Sequence, residues 1–300
     1  MKPNFPFNPE IFKILNLILS HPLNKGRKAN SFFRFLLWQL FSRIYPYPIL
    51  LPFTKKAEYL CWKGLSGLTG NWYNGLMEME EMAFSVHFLR EGDHFYDIGA
   101  NVGAYSILAS QETKCNVHSF EPHPETFQWL KRNINLQRIQ GLVTAYNFGL
   151  GQENKVVRFS ANLDCINHVL TNNEGNGIEV TVKILDDLKL PIPSLIKIDV
   201  EGFEYEVLKG SEKLLGDLTL KAIIIELNGS GKKYGIEDTF IDSYLRNYNF
   251  IPYTYDPFKR ELIKLDSFLS HNTIYLRDYN FCTDRVKKGG IIELANGVSL

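Results

Sequence analysis

Apolar positions change period along this chain, and the changes divide it into elements. Met79, Met82, Ala83, Val86 and Leu89 recur at helical spacing, which predicts a helix over 78–90. From there strand and helix patterns alternate. The pattern predicts strands over 94–99, 116–121, 143–148, 194–200 and 222–227. Helices are predicted over 102–111, 124–136 and 237–248, and a short one begins over 203–208. Such alternation implies a mostly parallel sheet covered by helices on both faces, a Rossmann-like α/β fold. The runs Leu195-Ile-Lys-Ile198 and Ala222-Ile-Ile-Ile-Glu-Leu227 suit buried central strands. A long insertion separates the third strand from the fourth. It holds two extended segments, 156–159 and 178–182, and a loop with Asn162, Asp164, His168, Asn172 and Asn173. Segments 250–255 and 273–277 read as closing strands, and 282–300, with little periodicity, as a loose tail.

The first 75 residues follow another pattern. Their apolar stretches, 11–19 and 32–41, fall short of the ~20 apolar residues that span a bilayer, and Arg34 and Gln39 interrupt the second. Within residues 1–60, nine Lys and Arg stand against Glu10 and Glu58, among many aromatics such as Phe32, Phe33, Trp38 and Tyr45. Two readings fit: a helical cap that buries its apolar face on the main domain, or an interfacial segment in peripheral contact with a membrane. Tyr45-Pro-Tyr-Pro48 and Leu51-Pro52 break any helix. Gly64, Gly67, Gly70 and Gly75 make 63–75 a turn-rich connector or hairpin. The expected organisation is a helical and connector extension over 1–75, a main domain over 76–280 and a tail over 281–300.

Composition narrows the function classes. The 300 residues are 45% hydrophobic, a normal globular content, and 33 basic residues balance 33 acidic ones, so nothing global points to a nucleic-acid partner. Cys61, Cys115, Cys165 and Cys282 lie far apart, without the spacing of a zinc site or a redox dithiol. A reduced, cytoplasmic thiol set is the plain reading, and no signal-peptide cleavage pattern follows the first apolar stretch.

The chemistry concentrates at predicted strand ends. Asp97-Ile-Gly99-Ala-Asn101-Val-Gly103 joins a strand to a helix, where glycines let the backbone turn tightly beside a ligand. Glu121 ends the next strand, at a spacing that suits a carboxylate accepting from both hydroxyls of a ribose. A nicotinamide dinucleotide and S-adenosylmethionine both fit a glycine loop with a ribose carboxylate. A dinucleotide seats its pyrophosphate on the helix N-terminus, where Asp97 would repel it. The same charge attracts a cationic amine or sulfonium, which favours the methyl donor. Asp199 and Glu201 sit at the mouth of the fourth strand and Glu226 ends the fifth. With His168, Asp199 and Glu201 are the candidate bases for an acceptor hydroxyl, the acidic pair ranking first. Glu204 reads equally as a favourable charge at a helix N-terminus. A nucleotide-dependent oxidoreductase and a non-catalytic S-adenosylmethionine-binding module are the competing readings.

Together Asp97-Ile-Gly-Ala-Asn-Val-Gly103, Phe120-Glu-Pro122, Ile196-Lys-Ile-Asp-Val-Glu-Gly-Phe-Glu204 and Ile223-Ile-Ile-Glu226 resemble the FkbM-type methyltransferase family over roughly residues 80–250. The resemblance implies class I methyltransferase topology, with seven strands and the last antiparallel. It also implies O-methylation from S-adenosylmethionine, often of sugars in polysaccharides, glycolipids or secondary metabolites. It places Asp97, Gly99 and Gly103 along the cofactor, Glu121 on its ribose, and Asn147 to Gly149 near its adenine. Nothing in the pattern marks a metal site, although Asp199 and Glu201 can ligate a cation together. The segment from Trp62 to Asn71 is similar, more loosely, to one that precedes the domain in members linked to surface polysaccharide. The acceptor is therefore a small molecule or a glycan.

Overall fold

The computed structural model describes residues 9–160, 167–171 and 177–300. Cys165, Asn162, Asp164, Asn172 and Asn173 lie outside the described residues. The N-terminal layer comprises helices α1 (Pro9–Ser20) and α2 (Lys28–Ile44), a hairpin of β1 (Ile49–Pro52) and β2 (Glu58–Cys61), and helix α3 (Ser66–Asn74). Helix α4 (Met79–Phe88) leads into β3 (His94–Ile98), α5 (Ala104–Thr113), β4 (Asn116–Phe120), α6 (Pro124–Leu136) and β5 (Val143–Tyr146). The insertion contributes β6 (Gly149–Leu150), β7 (Lys155–Phe159) and β8 (Ile178–Lys183). There follow β9 (Leu195–Ile198), α7 (Glu204–Lys209), α8 (Glu212–Gly216), β10 (Ala222–Glu226) and α9 (Asp238–Asn247). The chain closes with β11 (Ile251–Asp256), β12 (Glu261–Lys264), β13 (Asn272–Leu276) and α10 (Tyr279–Lys287).

The main sheet runs β12-β11-β13-β10-β9-β3-β4-β5. Its pairs from β5 to β10 are parallel, and β13 is antiparallel to both β10 and β11. This is the Rossmann-like class I methyltransferase arrangement expected from the sequence. It carries one more strand, because β12 pairs antiparallel with β11 and makes the sheet eight-stranded. The predicted pair in the insertion forms as β7 and β8, which with β6 make a second, three-stranded sheet.

Alternation along the central strands sends neighbouring side chains to opposite faces. On β10, Ile224 joins the core under α4, α5 and α6, whereas Ile223 and Ile225 join the core on the other face with Leu245 of α9. The first core continues through Phe35 and Trp38 of α2 to Leu300, so the N-terminal layer shares it.

Two expectations give way here. Residues 63–75 were expected to form a connector or hairpin, but Ser66–Asn74 is helical. The helix is held by packing despite its glycines: Leu68 is fully buried, and Gly70 leaves room for Met77, whose sulfur would lie 1.9 Å from a Cβ there. The loose tail is also ordered. α10 buries Cys282 and Val286, and Thr54 bridges to Leu294 while Ile292 and Leu300 are buried. Scattered apolar residues without a period are what a segment shows when it fills gaps on an existing surface.

The chain leaves β3 outward through β4 and β5, then crosses back to place β9 on the other side of β3. Open α/β sheets bind ligands at such a switch point, beyond the carboxyl ends of the strands.

Candidate active site

A cleft of about 390 Å³ opens at this switch point. The strand-end residues Asp97, Glu121, Asp199 and Glu226 line it, with Gly99 and Glu201. Gly99 must be a glycine. Its φ is +81°, and a Cβ there would stand 1.8 Å from the Asp199 carbonyl oxygen. The ends of β3 and β9 can therefore close on each other only at a residue without a side chain.

Glu121 is 7% exposed and anchored from both sides. The Asn101 N–H donates to Oε2 at 3.0 Å and the His123 N–H to Oε1 at 2.8 Å. Asn101 adopts φ +49° to aim that N–H, an uncommon conformation for a residue with a side chain. Each carboxylate oxygen thus keeps acceptor capacity beyond its backbone bond. Burial pushes the Glu121 carboxyl up to about 7, against the pull of its two backbone donors.

Asp97 is fixed in the cleft floor. It accepts from Ser106 Oγ at 2.5 Å, and Ser106 reaches Ser119 Oγ at 2.7 Å. Its strand partner on β9 is Lys197. Sequence reasoning gave Lys197 no role, because lysines are rarely buried. Here its side chain is 4% exposed and its ammonium pairs with Asp199 at 2.7 Å, 4.7 Å from the Tyr105 ring centre. Burial works against that charge, but Asp199, Glu78 and Asp97 outweigh it and hold the lysine protonated. A signal was present. Lys197 and Asp199 are two apart on a strand, so they share a face. Glu78 and Tyr105 were also missed. Both line the cleft, and the Tyr105 hydroxyl donates to Glu78 at 2.5 Å.

Asp199, Glu201 and Glu226 bring carboxylate oxygens within 4.8 Å of one another, close enough to repel each other's charge or to hold a cation between them. Glu201 has φ +55° and precedes Gly202 at φ +101°, a strained turn of the kind found at functional positions. Burial and the Asp199 charge push Glu201 to about 7. Burial, with Asp199 and Glu201 adding, pushes Glu226 to about 8. The Glu226 Oε2 is buried with no hydrogen-bond partner among the described residues. Glu204 has a structural place instead: its Oε1 accepts from the N–H groups of Val200 and Gly202 and pins the turn.

The other sequence candidates stand further out. Gly103 lies outside the cleft lining, at φ +97°, where a Cβ would press on Leu130 of α6. Asn147 turns away and donates to the carbonyls of Glu121 and Pro122. Gly149 lines a narrower apolar slot with Phe120, Leu150 and Val182, which shares Gly99 and Pro122 with the main cleft. His168 lies outside the cleft lining. Its neighbour Asn167 lines the cleft, and its charge is near enough to ease Glu201 toward ionisation.

These carboxyls make stability depend on pH. Glu121, Glu201 and Glu204 rise to about 7, and Glu81 and Glu226 to about 8. The folded chain thus holds protons that the unfolded chain has lost, and stability falls as pH rises through this window. His87 and His118 act oppositely, since burial lowers both to about 4, but above their ordinary 6.5 their contribution is complete. The melting temperature of the ligand-free chain is expected to fall between about pH 6.5 and 8, and Glu226→Gln to flatten that slope. Calorimetric melting across the range checks this.

The sheet order and the ring of strand-end acids define a class I methyltransferase-type site. The chain belongs to the FkbM methyltransferase family, whose domain matches residues 97–252. It is 32% identical over 155 residues to hexuronic acid methyltransferase AglP of Haloferax volcanii, covering 50% of this chain and 62% of AglP. It is 41% identical over 56 residues to 31-O-demethyl-FK506 methyltransferase FkbM of Streptomyces tacrolimicus, covering 18% of this chain and 22% of that one. A crystal structure of methyltransferase FkbM from Methylobacillus flagellatus aligns with a TM-score of 0.44 at 14% identity, covering 83% of this chain and 60% of that one.

The cofactor that goes with this family is S-adenosylmethionine, and the residues present fit it. The cleft volume lies in the range of small-molecule sites. An anchored carboxylate with spare acceptor capacity suits a ribose, and the acids suit a cation.

Proposed function

We propose that this chain transfers the methyl group of S-adenosylmethionine to a hydroxyl of a sugar, the acceptor being a glycan, a glycolipid or a secondary metabolite. The observation that carries the reading is the buried, unpartnered Glu226 Oε2 beside Asp199 and Glu201. A buried polar atom without a partner is costly, and an acceptor hydroxyl, which both donates and accepts, supplies one. The names of AglP and FkbM support a sugar or an oxygen-bearing metabolite as substrate class. The cleft acids favour a neutral, hydroxyl-rich group at the reacting position over another carboxylate.

When bound, S-adenosylmethionine supplies a methyl group already activated on a sulfonium. The protein's share is alignment and proton removal. Glu121 holds the ribose, and Asp97 and the other acids favour the cation. Asp199, held by Lys197, orients the acceptor hydroxyl, and Glu201, with its carboxyl near 7, takes the proton. Lys197 already places a positive charge against Asp199, so the trio needs no metal ion to balance that carboxylate.

A cation entering this cleft lowers the raised carboxyls and drives protons off them. Donor binding is expected to release protons near pH 7, and affinity to rise with pH until the acids are ionised. Titration calorimetry in buffers of different ionisation enthalpy reads this directly. Binding enthalpy that is independent of the buffer would remove the acids from contact with the donor's charge.

A further inference from the structure

We propose that the outer face of α1 and α2 docks on an anionic phospholipid bilayer. A helix that merely caps a domain buries an apolar stripe and turns polar residues outward. α2 buries Ser31, Phe35 and Trp38, yet its opposite side carries Phe33 at 59% exposure, Leu36, Leu40 at 53% and Ile44 at 69%, spaced three and four apart. The adjoining α1, packed on α2, exposes Phe12 and Leu17. Contiguous exposed apolar surface marks an interaction site.

Charge selects the occupant. Residues 1–60 carry nine Lys and Arg against two Glu, a net +7, so the rest of this neutral chain carries −7. Lys13, Lys25, Lys28 and Arg43 are exposed on the two helices and their connection. Two copies pairing through this face would bring like charges together, whereas an anionic lipid surface complements it. At the C-terminal end of α2 a hollow of about 270 Å³ is lined by Trp38, Arg43, Tyr45, Tyr47, Trp62 and Lys63. Aromatic rings with basic groups are the side chains that settle at the headgroup level. No helix among the described residues is long and apolar enough to cross a membrane, so the contact is a surface one.

The layer also reaches the cleft. His21 Nε2 hydrogen-bonds the carbonyl of Met77, a cleft-lining residue. The docking layer is thus joined to the cleft wall, and the proposal holds independently of the acceptor's identity.

The test is co-sedimentation of the full chain with phosphatidylcholine vesicles and with vesicles that also carry phosphatidylglycerol. Binding is expected to be at least about tenfold stronger to the anionic vesicles and to weaken with salt. The exposed-residue variants Phe33→Ser/Leu40→Ser and Lys25→Glu/Lys28→Glu should each lose at least about tenfold in binding at unchanged melting temperature. Equal partitioning onto both vesicle types, or variants that bind like the parent, would overturn the proposal. So would a solution dimer that Phe33→Ser/Leu40→Ser dissociates, because a second copy would then cover the face.

Discussion

Glu201→Gln slows single-turnover methyl transfer by about 10²–10⁴-fold, the usual contribution of a general base, and the loss persists when the donor is saturating. The amide keeps the side chain's length and hydrogen-bonding reach but cannot take a proton. The parent should show a rate that climbs as pH rises through about 7, where Glu201 ionises, and then levels. That limb should vanish in the variant. Because Asp199, Glu201 and Glu226 interact, the limb belongs to the group rather than to one residue. The readout that isolates Glu201 is therefore loss of the rate at high pH. A folded Glu201→Gln chain that transfers at the parental rate would shift the base to Glu226, whose unpartnered oxygen points to the same task.

Glu121→Ala weakens S-adenosylmethionine binding by about 1.5–3 kcal/mol, the worth of a hydrogen bond to a charged group, which is roughly 10–150-fold in Kd. The substitution also strands the N–H groups of Asn101 and His123. Melting temperature and affinity must therefore be measured on the same protein. Glu121→Gln separates the two effects, since its carbonyl oxygen still accepts from one backbone donor but the charge is gone. An affinity loss in the folded glutamine variant assigns the carboxylate to the ribose. Unchanged affinity in both variants would take Glu121 out of the donor site.

The central sheet and the acids at its strand ends were readable because both follow from period. Strands such as Leu195–Ile198 and Ala222–Glu226 are largely apolar, and the acids Asp199, just past the first, and Glu226, at the end of the second, mark the carboxyl ends, where ligands bind. Where period is lost, so is the reading. β12 has a single buried residue, Leu262, and sits on the sheet edge, so its sequence carries almost no burial pattern. α3 contains Gly67 and Gly70, poor helix formers, and the burial of Leu68 and Tyr73 that holds it helical is a tertiary effect. Lys197 was hidden by the expectation that lysine faces water, although the Asp199 carboxylate that holds it is visible two positions along the same strand. Asn147 follows β5 where a donor site was expected, but its amide was claimed by backbone carbonyls, a choice between side-chain directions that sequence does not encode. Residues 1–60 were read both as a cap and as a membrane-surface segment, because basic, aromatic and aliphatic residues together suit either, and α2 carries apolar residues on both its buried and its exposed side.

The most direct measurement incubates the purified chain with methyl-labelled S-adenosylmethionine and a panel of neutral, hydroxyl-bearing sugars, free and conjugated. Mass spectrometry follows S-adenosylhomocysteine and labelled sugar together. The expected result is one S-adenosylhomocysteine for each label recovered as a base-stable O-methyl ether, with both products formed about 10²–10⁴-fold more slowly by Glu201→Gln. Donor binding without S-adenosylhomocysteine from any hydroxyl acceptor, or binding of a nicotinamide dinucleotide in place of the methyl donor, would contradict it.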